Sequence, residues 1–290
     1  MIWLIGNKGM LGTELSLLLE KENIKFSGTD REVDITDINA LKEFTNKNSF
    51  DWIINCAAYT AVDKAEDDRE FCRVLNAEGP YNIAVTARER GIKIIHISTD
   101  YVFNGKGDTP YKEDDVTDPI GVYGFTKRDG EKKLLEENKN SYIIRTAWLY
   151  GRHGNNFVHT MLRLMKGKES ISVVNDQKGS PTWAYDLSKT IIEFIKQSSE
   201  GKTIPFGVYH FTNEGEITWF DFAKEIYKQG RALGMLEKNC EVKPCTSADF
   251  PAKVTRPAYS VLDKTKIKNS LHITIPGWEK SLKDFLITIN

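Results

Sequence analysis

The sequence has no long hydrophobic run, almost no net charge and few cysteines. Its first apolar run covers only residues 1–5, and no segment of the 290-residue chain is long enough to span a bilayer or to resemble a signal peptide. The 40 basic and 41 acidic residues leave a net charge of -1, which gives no support to nucleic-acid binding. We therefore expect a cytoplasmic protein that binds neither a membrane nor a nucleic acid.

Sequence patterns for metal binding and for hydrolysis are also missing. The four cysteines form no CxxC pair, so free thiols are expected, although Cys240 and Cys245 are close enough in sequence to approach each other. The five histidines show no HxxxH spacing, so no metal ligands are assigned. Without a GxSxG elbow, nucleophilic hydrolysis is unsupported as well.

Short apolar runs alternate with helical patterns in the first half of the chain, which is typical of an α/β fold with a doubly wound parallel sheet. The Gly79–Pro80 dipeptide should kink or split a helical pattern over residues 67–90, and Asp118–Pro119 should begin a later helix. Strands are predicted at residues 1–5, 24–28, 52–55, 92–97, 142–147, 171–174 and 208–211, and amphipathic helices at 10–21 and 185–196.

We expect a Rossmann-like domain for dinucleotide binding over residues 1–147, with added elements from about 170–212. After residue 150 the alternation becomes irregular. Residues 148–169 and 213–290 are expected to form a smaller lobe that binds the substrate at the carboxyl edge of the sheet.

A glycine-rich turn with GxxGxxG spacing joins the first strand to the first helix. Glycines in this position allow a tight turn and the close approach of a pyrophosphate to the helix N-terminus. The residues predicted to contact the dinucleotide here are Gly6, Asn7, Gly9, Met10, Leu11 and Gly12. After the second strand, Asp30 favours NADH and Arg31 favours NADPH, so both cofactors stay open. Asp34 and Ile35 are expected beside the adenine.

Tyr123 and Lys127 are four residues apart on a predicted helix and therefore share one face. An ammonium near a phenol lowers the phenol pKa and makes proton donation easier near neutral pH. The same lysine can hydrogen-bond a nicotinamide ribose. Thr99 ends the fourth strand, at the edge where such sheets bind ligands, so its hydroxyl can hold the carbonyl oxygen that Tyr123 protonates.

With these motifs in place, the chain resembles an extended short-chain dehydrogenase/reductase, and more narrowly the dTDP-4-dehydrorhamnose reductases. The narrower resemblance covers essentially the whole chain. It is carried by the segments NCAAYTAVDKAE at 55–66, STDYVFNG at 98–105, RTAWLYG at 145–151, GSPT at 179–182 and RPAYSVLD at 256–263.

The resemblance implies NAD(P)H-dependent reduction of the C4 ketone of a dTDP-sugar, dTDP-4-dehydro-L-rhamnose. It places Ala57, Ala58 and Tyr59 beside the cofactor. It also implies substrate contacts by Thr99, Asp100, Trp148, Asn156, Phe157 and Arg256. Some relatives use Mg²⁺ at a dimer interface; its ligands are not found here, so the metal and a homodimer stay open.

Two other functions are considered. A nucleotide-sugar dehydratase or epimerase could use the same scaffold, but Tyr101 stands where a dehydratase has its second carboxylate. An epimerase is harder to exclude. The non-enzyme alternative is a regulatory NADP-binding module resembling the β subunit of methionine adenosyltransferase. Intact Thr99, Tyr123 and Lys127 favour the reductase.

Overall fold

The computed structural model describes residues 1–250 and 252–290 and has a six-stranded, all-parallel sheet at its centre. The twelve strands of the described residues are β1 (Ile2–Ile5), β2 (Phe26–Thr29), β3 (Trp52–Asn55), β4 (Lys93–Thr99), β5 (Ser141–Thr146), β6 (Leu149–Tyr150), β7 (Ser170–Val174), β8 (Lys178–Gly179), β9 (Thr182–Trp183), β10 (Gly207–His210), β11 (Ile217–Thr218) and β12 (Glu241–Cys245). The central sheet has the order β10-β5-β4-β3-β1-β2. The predicted doubly wound parallel sheet is confirmed.

Helices cover both faces of this sheet. The α-helices are α1 (Met10–Lys21), α2 (Ile38–Lys47), α3 (Val62–Ala65), α4 (Arg69–Arg73), α5 (Gly79–Glu89), α6 (Val122–Glu137), α7 (Phe157–Gly167), α8 (Ala184–Ser199), α9 (Trp219–Ala232), α10 (Thr265–Leu271) and α11 (Trp278–Ile289). A π-helical turn, Val74–Glu78, joins α4 to α5, and 3₁₀ turns cover Asp100–Val102 and Ser247–Asp249. The predicted break at Gly79–Pro80 therefore falls at the start of α5.

Alternate side chains of each central strand enter two different cores. In β1, Ile2 and Leu4 face the core that includes Leu15 of α1, whereas Trp3 and Ile5 face the core on the other side. This alternation follows from the two-residue period of a strand. Burial on both faces explains why these strands read as continuous apolar runs.

A third core holds the later part of the chain together. It is formed by α7, α9 and α11 with strands β7 and β12, and Phe222 and Phe285 are fully buried in it. The sequence predicts residues 171–174 as an addition to the central sheet, and this is wrong. The strand pairs with β12 instead, a partner about 70 residues later whose polar sequence gives no strand signal. The other predicted addition, β10, does join β5.

The helix that carries Tyr123 begins at Val122 rather than at Asp118–Pro119 as predicted. Its N-cap, Gly121, makes no side-chain cap hydrogen bond. The Val122 amide donates instead to Glu66 Oε1, at 2.8 Å. Because the acceptor comes from a distant part of the sequence, local capping rules place the start too early.

All four cysteines are free, as expected. No helix in residues 1–250 and 252–290 is both long and apolar enough to cross a bilayer.

Candidate active site

The site lies where the chain changes direction within the sheet. From β1 the chain moves outward to β2, and then returns to β3 on the other side of β1. In a parallel sheet such a reversal opens a crevice at the carboxyl ends of the two central strands. The glycine turn follows β1 and Ala57 follows β3, and the two are in contact: a Cβ on Gly6 would lie 2.8 Å from the Ala57 nitrogen.

The glycine turn has the geometry that a dinucleotide requires. Gly6 has φ +76°, and its amide and that of Asn7 donate to the Thr29 carbonyl at 2.7 and 3.1 Å. Gly12 allows α1 to approach the turn, because a Cβ there would lie 2.1 Å from the Gly6 oxygen. Gly9 is the exposed N-cap of α1 and no side chain caps the helix, so the first helical turn has amides free for a ligand.

Two further observations fit a bound cofactor. The Asn7 side-chain oxygen is buried and has no hydrogen-bond partner among the described residues. The Met10 side chain lies beside Gly151, 3.3 Å from the position of a Cβ there, and so connects the turn to the later lobe. Leu11, in contrast, is a core residue, so any contribution it makes to a cofactor comes from its backbone.

The residues after β2 are divided between the surface and the core. Arg31 is exposed, and Asp30 is half-buried. The Asp34 carboxylate closes a local turn by accepting from the Thr36 amide and hydroxyl, each at 2.8 Å. Ile35 is buried beneath Gly79, and its carbonyl accepts from Asn82 Nδ2 at 3.2 Å. Asp30 and Arg31 are thus the two side chains free to distinguish the cofactors.

The loop after β3 is held by side chains that the motifs did not identify. The Ala57 amide donates to Asn55 Oδ1 at 3.0 Å. Asn76, in the π-helical turn, accepts from the Tyr59 amide at 2.8 Å and donates to the Tyr59 carbonyl at 3.0 Å. Because both groups of one residue are bound, the segment of Ala57, Ala58 and Tyr59 has a fixed path along the crevice.

Thr99 and Tyr123 come together at the carboxyl end of β4. Burial raises the pKa of the Tyr123 phenol above its usual value, the hydrogen bond with the Thr99 hydroxyl partly lowers it, and the Asp100 carboxylate raises it further. The Tyr101 ring meets the Tyr123 ring edge-on, with centroids 5.6 Å apart. The phenol thus lies among Thr99, Asp100 and Tyr101.

Lys127 is in the site, but its amine is directed to β4. It is buried, and it donates to the Ile97 carbonyl at 2.7 Å, with His96 Nε2 at 3.3 Å. Burial lowers the pKa of the Lys127 amine to about 8, although Glu131 opposes this. The sequence predicts that Lys127 lowers the pKa of Tyr123, but in this structure the phenol pKa is raised, because burial and the nearby Asp100 carboxylate outweigh the hydrogen bond with Thr99.

Two charged side chains near Tyr123 have groups without partners among the described residues. Asp100 Oδ2 is buried and unpaired, while Thr99 Oγ1 donates to Asp100 Oδ1 at 2.9 Å. Arg256 uses Nη2 to bind Asp63 at 2.6 Å, and its Nη1 is buried without an acceptor. An unpaired carboxylate oxygen suits a hydroxyl donor, and an unpaired guanidinium nitrogen suits an anion.

Trp148 has a strained backbone at the edge of the same region. Its φ of 48° lies in the left-handed region, which is unfavourable for a large side chain. The indole stacks on Trp219 with centroids 3.5 Å apart, and Phe157 packs against Trp219 at 4.5 Å. The strain is thus held by aromatic packing, and Trp219 is a member of this cluster that the motifs did not reveal.

The Asn156 side chain, predicted to contact the substrate, has hydrogen-bond partners within the protein. Its Oδ1 accepts from the His159 amide at 3.1 Å, and its Nδ2 donates to the Gly151 carbonyl at 2.8 Å. Both side-chain groups are therefore used to cap α7 and to hold the loop before it. Across the described parts of the chain, no group of three or more His, Cys, Asp or Glu side chains could hold a metal ion.

The chain is similar to known proteins over its whole length. The family model described as the RmlD substrate binding domain matches residues 1–290. A dTDP-4-dehydrorhamnose reductase from Aggregatibacter actinomycetemcomitans is 39% identical over 281 residues, covering 96% of each chain. A probable dTDP-4,6-dihydroxy-2-methyloxan-3-one 4-ketoreductase from Streptomyces antibioticus is 39% identical, covering 98% of this chain and 94% of that protein.

A solved structure extends the comparison to the fold. The dTDP-4-dehydrorhamnose reductase from Bacillus anthracis, crystallised in complex with NADP, superimposes with a TM-score of 0.92 at 38% identity. The match covers 99% of this chain and 98% of that one. The chain therefore belongs to the RmlD substrate-binding family, the family of the dTDP-4-dehydrorhamnose reductases, and is an oxidoreductase with a Rossmann-type fold.

Proposed function

We propose that the chain reduces the C4 ketone of dTDP-4-dehydro-L-rhamnose to dTDP-L-rhamnose with NADPH or NADH. The observation that carries this proposal is the meeting of Thr99 and Tyr123 at the carboxyl end of β4. It places two hydroxyl groups at the carboxyl edge of the sheet, where one carbonyl oxygen can accept from both. Relatives named as reductases of this sugar, at similar identity over the whole chain, support the choice of substrate.

The cofactor would be held by the first part of the chain. The amides after Gly9 and the orphaned Asn7 oxygen would bind its diphosphate region, and Ala57, Ala58 and Tyr59 would line it beyond β3. Asp30 or Arg31 would meet the adenosine ribose, with or without its 2′-phosphate. When bound, the nicotinamide supplies the hydride for C4.

Tyr123 would deliver the proton. A phenol has a pKa of about 10 even when free, so Tyr123 is protonated through the neutral range and its proton is present when negative charge develops on the ketone oxygen. Thr99, whose single hydroxyl proton is donated to Asp100 Oδ1 in this structure, would turn that proton to the same oxygen and so fix the ketone relative to Tyr123. Lys127 lies one helical turn further along α6 and would hold the cofactor ribose. Its ammonium charge would also compensate the negative charge that develops at Tyr123.

The remaining contacts would select a nucleotide sugar. Asp100 Oδ2 would accept from a sugar hydroxyl, and Arg256 Nη1 would bind a diphosphate oxygen. Trp148 and Phe157 would give the sugar an apolar wall, backed by Trp219. Residues 148–169 and 213–290 would thus supply most substrate contacts, as a lobe on the dinucleotide-binding domain.

The test is an assay of NADPH and NADH oxidation by the purified chain with dTDP-4-dehydro-L-rhamnose. The product's C4 configuration is read by NMR. We expect oxidation with at least one cofactor and a single C4 product with the rhamnose configuration. A product with the opposite configuration would assign a related deoxysugar instead. Binding of NADPH without any oxidation would favour a regulatory module and overturn the proposal.

A further inference from the structure

A chain of buried hydrogen bonds runs through the sheet from the cofactor side of β3 to the amine of Lys127. It consists of the Ala57 amide, Asn55 of β3, His96 of β4 and Lys127 of α6. Asn55 and His96 are fully buried, and the relative exposure of Lys127 is 2%. The motifs did not single out Asn55 or His96 for any role in the reaction.

The direction of each hydrogen bond follows from what each group can donate. The Ala57 amide can only donate, so the Asn55 oxygen faces it at 3.0 Å. The Asn55 amide nitrogen therefore faces His96 Nδ1, also at 3.0 Å. Because that nitrogen can only donate, Nδ1 must accept and carries no proton.

The proton of a neutral His96 ring is then on Nε2. Burial, together with the charge of Lys127, holds the His96 pKa well below its usual value, so the doubly protonated ring is disfavoured. The Nε2 proton points at Lys127 Nζ, 3.3 Å away. A neutral amine has a lone pair to accept it while donating to the Ile97 carbonyl, whereas an ammonium has only donors.

We propose that His96 is a positioning residue for Lys127, holding the uncharged amine through Nε2–H and releasing it when the amine gains a proton. This rests on the proposed function, in which Lys127 acts beside Tyr123. Asn55 determines which ring nitrogen carries the proton, and the Ala57 amide determines the orientation of Asn55. The position of the lysine is thus coupled both to its charge and to the loop that lines the cofactor side of the crevice.

Few other charges act on these four hydrogen-bonded groups. Glu131, on the same helix as Lys127, favours the ammonium, but it is itself paired with Arg145 at 2.8 Å. The Cys56 and Cys72 thiols also lie near the amine, and burial raises the pKa of each, so they stay neutral. The His96 pKa is lowered by burial and by the charge of Lys127.

The first test is independent of catalysis. Protein labelled with ¹⁵N in its histidine rings is examined by long-range ¹H–¹⁵N NMR, and His96 is assigned by the signal lost in His96→Gln. We expect His96 to be neutral and protonated on Nε2 at neutral pH. A ring protonated on Nδ1, or on both nitrogens, overturns the proposal whatever the chain is found to catalyse.

The second test asks whether His96 affects the charge of Lys127. A glutamine side chain at position 96 can turn its oxygen to an ammonium, so His96→Gln should stabilise the charged lysine without adding a charge. The basic limb of kcat/KM against pH should move up by about one pH unit, the effect of one buried hydrogen bond. An unmoved limb in a folded variant would reduce His96 to a packing residue and overturn the proposal.

Asn55→Asp supplies a variant of matched shape. A carboxylate can only accept, so it should draw the proton to His96 Nδ1 and leave Nε2 to accept from an ammonium. The NMR pattern should reverse, and the basic limb should again move up. If the tautomer stays on Nε2 in this variant, Asn55 does not control it and the proposal fails. If the protein reduces no sugar, the effect of Lys127 protonation is measured instead from the dependence of NADPH affinity on pH.

Discussion

The Val122 amide donates to Glu66 Oε1 at 2.8 Å, so a side chain 56 residues earlier caps the helix that carries Tyr123. Glu66 lies at the end of the segment that follows β3, and its other oxygen pairs with exposed Arg69 at 3.1 Å. A carboxylate at a helix N-terminus satisfies a free amide and interacts favourably with the helix dipole. The loop along the cofactor side of the crevice and the start of α6 are thus joined directly.

Loss of this cap should weaken both the fold and the catalytic step. We expect Glu66→Ala to lower the free energy of unfolding by about 1 kcal/mol, as for other lost helix caps. Because Tyr123 follows Val122 directly, kcat should fall more than NADPH affinity. Arg69→Ala is the control, since it leaves the cap in place and removes an exposed ion pair together with the hydrogen bond from Arg69 Nε to the Glu66 carbonyl. Both variants are measured for kcat and, from denaturant unfolding curves, for the free energy of unfolding. Equal effects of the two variants on kcat would contradict the role of the cap.

Two glycines of the same turn should respond differently to alanine. A Cβ at Gly12 would lie 2.1 Å from the Gly6 oxygen, so Gly12→Ala forces α1 away from the turn and should cost about 1–3 kcal/mol of stability. A Cβ at exposed Gly9 lies 3.3 Å from the same oxygen and leaves the fold nearly unchanged. Gly9→Ala should instead weaken NADPH binding roughly tenfold by crowding the diphosphate. Wild-type affinity in Gly9→Ala, measured by calorimetry, would refute the cofactor position.

The sequence predicts the parts of this site that depend on local pattern. The strand ends at Thr99 and Asn55, the glycine turn and the Tyr123–Lys127 spacing all follow from local periodicity and the rule for parallel sheets. What it misses depends on distant partners. The β7–β12 pairing, the capping of Val122 by Glu66 and the bonding of Lys127 to His96 are contacts across the fold, which no local pattern reports. Burial, which raises the Tyr123 pKa, is likewise a property of the packed structure.

Arg256 should act on the nucleotide and not on the sugar ketone. Its buried Nη1 has no acceptor in the described structure, and a diphosphate would provide one. We expect Arg256→Ala to raise KM for the dTDP-sugar by about 10–100-fold, the usual effect of a charge-assisted hydrogen bond, with a smaller change in kcat. Lys253→Ala is a matched control, because it removes a nearby exposed cation that pairs with Asp67. If both variants have the same KM, the diphosphate is bound elsewhere.

Asp100 should make stability depend on pH in an unusual direction. Burial raises its pKa from the usual 3.8 to about 6, although the Thr99 hydroxyl opposes this. The folded protein then holds this proton more tightly than the unfolded chain, so the Asp100 contribution to stability falls as pH rises from about 4 to 6. Asp100→Asn should be more stable than wild type near pH 7, by about 1–3 kcal/mol, with no difference below about pH 4.

The matching activity measurement follows the ionised carboxylate. Wild-type KM for the sugar should increase below about pH 6 as Asp100 becomes protonated, and this dependence should be absent in Asp100→Asn. Denaturant unfolding across this pH range, with KM measured at the same points, checks both parts. An Asn variant less stable than wild type at neutral pH would show that the carboxylate is stabilised in the fold.

The most direct test of Tyr123 as the proton donor is turnover by Tyr123→Phe, measured together with NADPH affinity. The variant keeps the ring that meets Tyr101 but removes the only proton the phenol can give. We expect kcat to fall by about 10²–10⁴-fold, the usual contribution of a general acid, with the NADPH dissociation constant within about twofold of wild type. Reduction of dTDP-4-dehydro-L-rhamnose at the wild-type rate by a folded Tyr123→Phe variant would contradict the assignment.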